Sequence, residues 1–312
     1  MQIRNKVASP QSPWASRLKR AAIQAMGVAG LACGVVSLGH ATTFFSNTAD
    51  QLGGGIATAL TTGAWARMEG AVALSSNYTH DGHKFSYQLS YPVVEAQSFL
   101  GIDLPVGQKH VFLRWWEVRE KAGDFPGALD YDWSAEKTMR FRSLTIGTTG
   151  VDYPLGWEAL SGQGGTPGIT NPPGPLVIFG NSVASNGADI LRTPAVNIQR
   201  GQWNMYEVEI NLGSVGQANA ATRIWVNDVL IGQTTNVVML PTNDANIQEV
   251  WVGGWYSGGR NPNPSPARRY IDEIVLADQK IGFAGTGGGT STTPPPPPVA
   301  VVPDPPTSVS VQ

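Results

Sequence analysis

The feature that most constrains this chain is a period of two in hydrophobicity that runs through its middle. Residues 84–91 send Phe85, Tyr87, Leu89 and Tyr91 one way and Lys84, Ser86, Gln88 and Ser90 the other. Residues 110–119 oppose Val111, Leu113 and Trp115 to Phe112, Arg114 and Trp116. Residues 204–212 oppose Tyr206, Val208 and Ile210 to Glu207, Glu209 and Asn211. Residues 222–229 set Ile224 and Val226 against Arg223, Trp225 and Asn227. Val250 and Val252 flank Trp251, and residues 270–276 place Ile271 against Asp272 before Ile274, Val275 and Leu276. Successive side chains of a strand point to opposite faces, so this alternation predicts strands with one buried face. After residue 41 no stretch has the period of a long amphipathic helix, and residues 135–141 are expected to form a short helical turn. Asp81-Gly82, Asn227-Asp228 and Gly258-Gly259 mark turns, and residues 162–175 read as a long Gly/Pro loop. The expected fold is all-β: a two-sheet antiparallel jelly-roll sandwich over residues 42–283.

Both ends of the chain depart from this pattern. Residues 1–41 hold five of the 21 basic residues, Arg4, Lys6, Arg17, Lys19 and Arg20, and none of the 23 acidic ones. An uncharged stretch over 21–38 and Gly39-His40-Ala41 complete the order of a signal peptide: basic, apolar, small-x-small. Residues 21–38 contain three Gly together with Gln24, Cys33 and Ser37, which is weakly apolar for a permanent span. Cys33 is the only cysteine, and Gly30 stands where a lipoprotein signal needs a branched apolar residue. Cleavage leaves no cysteine, which excludes disulfides, a thiol nucleophile and cysteine-ligated metal. Export without disulfides points to a secreted or cell-surface bacterial protein with no membrane span after signal cleavage. Asn77-Tyr78-Thr79 matches a glycosylation sequon, a short pattern of little weight in a bacterium. Beyond residue 41 there are 16 basic and 23 acidic residues, a formal charge of -7, which excludes a general pull toward nucleic acid. Residues 284–312 read as a Gly/Thr/Pro-rich linker or tail, with five consecutive prolines at 294–298 favouring an extended polyproline rod. Its last nine residues resemble the first strand of a fibronectin type III module.

Three motifs carry a family resemblance. Residues 203–211, WNMYEVEIN, look like the "W-x-x-x-E" strand of concanavalin A-like jelly rolls. Residues 222–232, TRIWVNDVLIG, are similar to their "lxLWVDGxLV" hairpin, and residues 270–282, YIDEIVLADQKIG, to their closing strand. HVFLRWWEVR resembles a strand of secreted bacterial members related to polysaccharide lyases. The resemblance implies the lectin/glucanase jelly-roll fold. It identifies fold better than activity.

In that fold one sheet carries a glycan groove. If the apolar sets face the core, the opposite sets line this groove or solvent: Arg114, Trp116, Glu207, Glu209, Asn211, Arg223 and Trp225, with Arg140 or Arg142 as further candidates. Indoles stack on pyranose faces, and guanidinium forks bind uronate carboxylates. Trp255 and Tyr256, before a Gly-rich turn, are candidate stacking platforms. The alternative is structural: ion pairs on a sheet face and tryptophans in the core.

Catalysis has weaker support. The resemblance implies "E-x-D-x-x-E" in glycosidases of this fold and "Y-x-K-x-G-x-Y" with "Q-x-H" in alginate-type lyases, and this sequence has neither. Glu207 and Glu209 share a face at i, i+2 spacing, and Tyr206, His110 and Arg114 are the other groups able to move a proton or neutralise a uronate. His80 and His83 form H-x-x-H without a third spaced ligand. Asp272 matches the place where related jelly rolls hold a structural calcium. No phosphate-binding loop or nucleophile elbow occurs. The leading expectation is a secreted polysaccharide-binding module, suited to acidic glycans and needing no cofactor. The alternatives are a polysaccharide lyase or glycoside hydrolase of the same fold, and a structural cell-surface or matrix protein.

Overall fold

The alternating segments become strands in the computed structural model, which describes residues 42–52, 65–91, 97–128, 137–143, 152–157, 174–179, 189–196, 198–240, 244–255, 267–283 and 301–302. In chain order the strands are β1 (Thr43–Asn47), β2 (Arg67–Glu69), β3 (Ala71–Ser75), β4 (Ser86–Tyr91), β5 (Gln97–Gln108) and β6 (His110–Arg119). Then follow β7 (Lys137–Arg142), β8 (Asp152–Trp157), β9 (Gly174–Phe179), β10 (Asp189–Val196) and β11 (Asn204–Asn211). The last are β12 (Ala220–Val226), β13 (Val229–Val237), β14 (Ile247–Trp255), β15 (Ala267–Ala277) and β16 (Val301–Val302). A 3-10 turn, Ala49–Gln51, follows β1. The expected signal peptide and nearly all of the expected tail lie outside the described residues, as do Gly258-Gly259 and residues 162–173.

The strands form two antiparallel sheets packed as a sandwich. The first runs β13-β12-β11-β6-β15-β4-β3, with β1 also paired to β15; the second runs β16-β10-β9-β8-β7-β14-β5-β2. Neighbours distant in sequence, such as β6 beside β11 and β15 or β14 beside β7 and β5, are the crossovers of a jelly roll.

The apolar halves of the alternating strands meet between the sheets. The first sheet contributes Val111, Leu113, Trp115, Tyr206, Val208, Ile210, Ile224, Val226, Ile271, Ile274 and Leu276. The second contributes Leu100, Ile102, Met139, Phe141, Leu176, Ile178, Val250 and Val252. Each fully buried large apolar side chain contributes about 1.5–3 kcal/mol. Residues 137–142 form a strand where the sequence reading expects a helical turn. Met139 and Phe141 enter the core while β7 pairs with β14 and β8, so burial of an alternating pair overrides the local helical tendency. Asn227 and Asp228, at φ 51° and 64°, make the two-residue turn joining β12 to β13. Among the described residues no helix is long and apolar enough to cross a membrane.

Candidate functional site

Core packing leaves each sheet with an outer face. On the first sheet this face carries Arg114, Trp116, Glu207, Glu209, Asn211, Arg223 and Trp225 of the set singled out from sequence, whereas Arg140 and Arg142, expected beside them, stand on β7 in the second sheet. Register places Arg114 of β6 beside Glu207 of β11, and Glu207 beside Trp225 of β12. Phe112 neighbours Glu209, and Glu209 neighbours Arg223. The alternation therefore groups these residues correctly.

The chain itself occupies much of this face. After β15 the closing residues 278–283 lie across it. Glu207 is fully buried and accepts the backbone N–H groups of Ile281 at 2.6 Å and Gly282 at 2.9 Å. Arg114, also fully buried, donates to the Gly282 carbonyl at 3.0 Å and lies 3.6 Å from Glu273. Burial lowers the Arg114 pKa against the opposing pull of Glu273 and Glu207. Lys280 pairs with Asp228 and stands 5.4 Å over the Trp225 ring, and Phe283 lies 5.9 Å from Trp116. Glu209 is held by His110 at 2.9 Å and Arg223 at 2.5 Å. Burial raises the Glu209 pKa, but those two partners outweigh it and hold the carboxyl below its usual value. Asn211, at the end of β11, is half-buried and caps its own turn by accepting the Gly213 N–H. Tyr206 points into the core and stacks on Trp115 at 5.2 Å. Neither carboxylate of the Glu207/Glu209 pair is thus open to a substrate. Trp255 ends β14, but its side chain, like Tyr256, lies outside the described residues.

Asp272 and Glu273 are adjacent, yet both are engaged on this face. A bulge in β15 shifts the register between Asp272 and Val275, with Glu273 at φ 47°. Asp272 Oδ1 accepts the Ala49 and Glu273 N–H groups, and Oδ2 lies 2.6 Å from His83 Nδ1. Both oxygens of the residue considered for calcium are therefore engaged by nitrogens. Among the described residues no group of three or more His, Cys, Asp or Glu is placed to hold a metal ion. His80 Nδ1 lies 2.9 Å from Glu273 Oε1, and its ring packs 4.1 Å from that of Trp116.

The second sheet's outer face has different chemistry. Trp251 of β14 sits in register with Arg140 of β7 on one side and Gly101 of β5 on the other. Gly101 in turn pairs with Arg67 of β2. Three guanidiniums surround the Trp251 ring, with Cζ–centroid distances of 4.3 Å for Arg142, 5.0 Å for Arg140 and 5.8 Å for Arg67. Phe99 stacks parallel to the same indole at 3.9 Å. Glu249, 2% exposed, pairs with Arg67 on one side and with Arg142 at 3.2 Å on the other. Asp103 lies 3.9 Å from Arg67. Gly101 makes this possible, because a Cβ there would stand 2.9 Å from Arg67 Cγ. Trp251 Nε1 and Thr138 Oγ1 are buried with no hydrogen-bond partner among the described residues. Chemically, the face can hold planar anions: guanidinium forks match carboxylates, and an indole face orients the guanidiniums.

Sequence reasoning named Arg140 and Arg142 but missed Arg67, Glu249 and Trp251 as their companions. The local signal is present: Arg140 and Arg142 alternate with Met139 and Phe141, and Glu249 and Trp251 with Val250 and Val252. That β7, β14, β5 and β2 lie side by side is a tertiary fact.

No family model matches the chain, and no curated protein matches it in sequence. Solved structures do match in fold. An alginate lyase aligns at TM-score 0.52 and 12% identity, over 76% of this chain and 97% of that one. An endo-β-1,4-glucuronan lyase from the fungus Trichoderma reesei aligns at 0.51 and 14%, over 76% and 96%. A marine alginate lyase from Aplysia kurodai aligns at 0.52 and 10%, over 76% and 100%. The chain thus shares its jelly-roll-like sandwich with polysaccharide lyases, a likeness of fold.

Proposed function

We propose that this is an exported protein that binds a uronate-containing polysaccharide on the outer face of its second sheet. The observation that carries this reading is the cluster of Arg67, Arg140 and Arg142 around Trp251, with the Glu249 carboxylate held by two of the three. Arg67 and Arg142 each hold one oxygen of the Glu249 carboxylate, and a uronate offers the same group once per sugar. The three solved structures that share the fold are lyases named for alginate or glucuronan, and a mutant of the first is a complex with an alginate trisaccharide.

The alternative is a lyase acting at the same face. A lyase must neutralise the uronate carboxylate and also remove the C5 proton. The described face supplies guanidiniums for the first task. The three histidines among the described residues, His80, His83 and His110, stand on the first sheet, each against a carboxylate. Binding is therefore the primary reading.

The test uses the full chain with alginate, a polyglucuronate and a neutral glucan, read by affinity electrophoresis and by ultraviolet absorbance of unsaturated ends. The expected result is salt-sensitive retardation by the polyuronates alone, lost in R67A/R142A. No retardation on any polyuronate, or retardation unchanged in that variant, refutes the reading. New unsaturated ends that disappear in R67A/R142A make the same face a lyase site.

A further inference from the structure

The three described histidines all lie on the first sheet's outer face, opposite the arginine cluster. Two of them share one loop. Between β3 and β4 the chain turns at Asp81 (φ 46°) and Gly82 (φ 77°), and the His83 N–H donates to the His80 carbonyl at 2.9 Å. The same tight turn carries both imidazoles to the β15 bulge, where Asp272 and Glu273 wait side by side. Without the bulge, adjacent residues of a strand would face opposite ways.

We propose that the His83–Asp272 pair forms a proton-held latch, which, with the His80–Glu273 contact beside it, fastens the β3–β4 loop to the first sheet and slackens as the His83 imidazole discharges.

The groups around the latch are mostly acidic. His83 faces Asp272 at 2.6 Å and feels Glu273 and Asp50 as well. Asp50, from the 3-10 turn, accepts the N–H groups of Lys84 and Phe85 just beyond the loop. Asp81 lies within the loop, and the Tyr87 hydroxyl of β4 bonds Asn47 near Asp272. The cation facing the pairs from β6 is Arg114, 3.6 Å from Glu273. Trp116 and Trp203 pack on His80 at 4.1 Å and 5.2 Å, and the Trp203 indole donates to the Thr79 carbonyl at 2.9 Å. Asp272 also accepts the Ala49 N–H, so the latch ties the loop, the β15 bulge and the segment after β1 into one unit.

The electrostatic sign follows from these surroundings. Burial lowers the His83 pKa, but the bond to Asp272 and the Asp272, Glu273 and Asp50 charges outweigh it, and the net shift is upward. Burial also drives the Asp272 carboxyl upward despite its donors, so the pair retains its proton between Nδ1 and Oδ2. A histidine raised in the folded state contributes stability that is fully present below the unfolded value, about 6.5, and is lost as pH rises through the folded value. The latch therefore tightens in mild acid and slackens in mild alkali.

Hydrogen exchange of the full chain tests this, with rates corrected for the intrinsic effect of pH. Between about pH 5.5 and pH 8.5, residues 76–85 are expected to lose about tenfold in protection relative to β11, the difference between a charge-assisted and a neutral hydrogen bond. H83Q should remove most of that dependence. Constant relative protection in the wild type, or undiminished dependence in H83Q, overturns the proposal. If H83Q does not fold, the wild-type imidazole resonances decide. A His83 titration above the ordinary imidazole range upholds the latch, and one at or below it overturns it.

Discussion

Replacing Glu207 with Gln isolates the contact that closes the fold. Both Glu207 oxygens accept backbone N–H groups of the closing segment, from Ile281 at 2.6 Å and Gly282 at 2.9 Å, and the residue is fully buried. Gln fills the same space, but its amide carbonyl can accept only one of the two donors. The other donor then faces an NH2 group. A hydrogen bond to a charged acceptor contributes about 1.5–3 kcal/mol, and a buried donor left facing a donor adds about 1 kcal/mol to the loss. Arg114 loses one nearby charge but retains Glu273 at 3.6 Å and the Gly282 carbonyl at 3.0 Å. The expected loss is about 2.5–4 kcal/mol. For a domain of this size that is a fall in Tm of about 5–16 °C. Thermal unfolding followed by near-ultraviolet circular dichroism measures it. K280A is the control, because it removes a pair on the same segment whose partners are more than a third exposed. Such a surface pair contributes about 0–1 kcal/mol. An E207Q melting point within about 2 °C of wild type, or a K280A loss of equal size, would refute the reasoning that the carboxylate clamp holds the segment.

Three further outcomes follow from the same structure. Burial raises the Glu273 pKa, but His80, Arg114 and His83 outweigh it and hold the carboxyl low, as His110 and Arg223 do for Glu209. Stability from these carboxylates is full above the unfolded Glu value of about 4.3 and lost as pH falls through their folded values. Acid unfolding should therefore be less steep in E209Q than in wild type, and identical acid profiles would contradict the assignment. G101A places a Cβ 2.9 Å from Arg67 Cγ. It should weaken polyuronate retardation several-fold while lowering stability by only about 1 kcal/mol, because the flexible arginine yields before the backbone does; unchanged retardation would count against Arg67 as a ligand. L113A empties a fully buried core position and should lower stability by about 2–5 kcal/mol in urea unfolding. A loss under 1 kcal/mol would mean that β6 is not central to the core.

The strands and their core-facing sides were legible because the side-chain period of a strand is a local property. Val111, Leu113 and Trp115, or Tyr206, Val208 and Ile210, declare their face within one segment, and the core uses them accordingly. Glu207 and Glu209 were likewise placed together correctly. Their engagement was not legible, because the groups that bind them come from elsewhere in the chain: Ile281 and Gly282 for Glu207, His110 and Arg223 for Glu209. The closing motif, residues 270–282, reads as a strand, while its last residues, Lys280, Ile281 and Gly282, carry the cover. The β15 bulge does mark the sequence, since core-facing Ile271 and Ile274 stand three residues apart where the period asks for two, but one such break does not tell a bulge from the end of a strand.

By itself the sequence determined an all-β sandwich and the composition of each strand face, since alternation and turn chemistry act over a few residues. Only the tertiary structure decided which outer face is covered by the chain's own closing segment and which gathers guanidiniums. Arg67, Arg140 and Arg142 meet around Trp251 because β2, β5, β14 and β7 are neighbours in the second sheet. That neighbourhood comes from burying two sheets against each other, a global condition that no local window of residues contains.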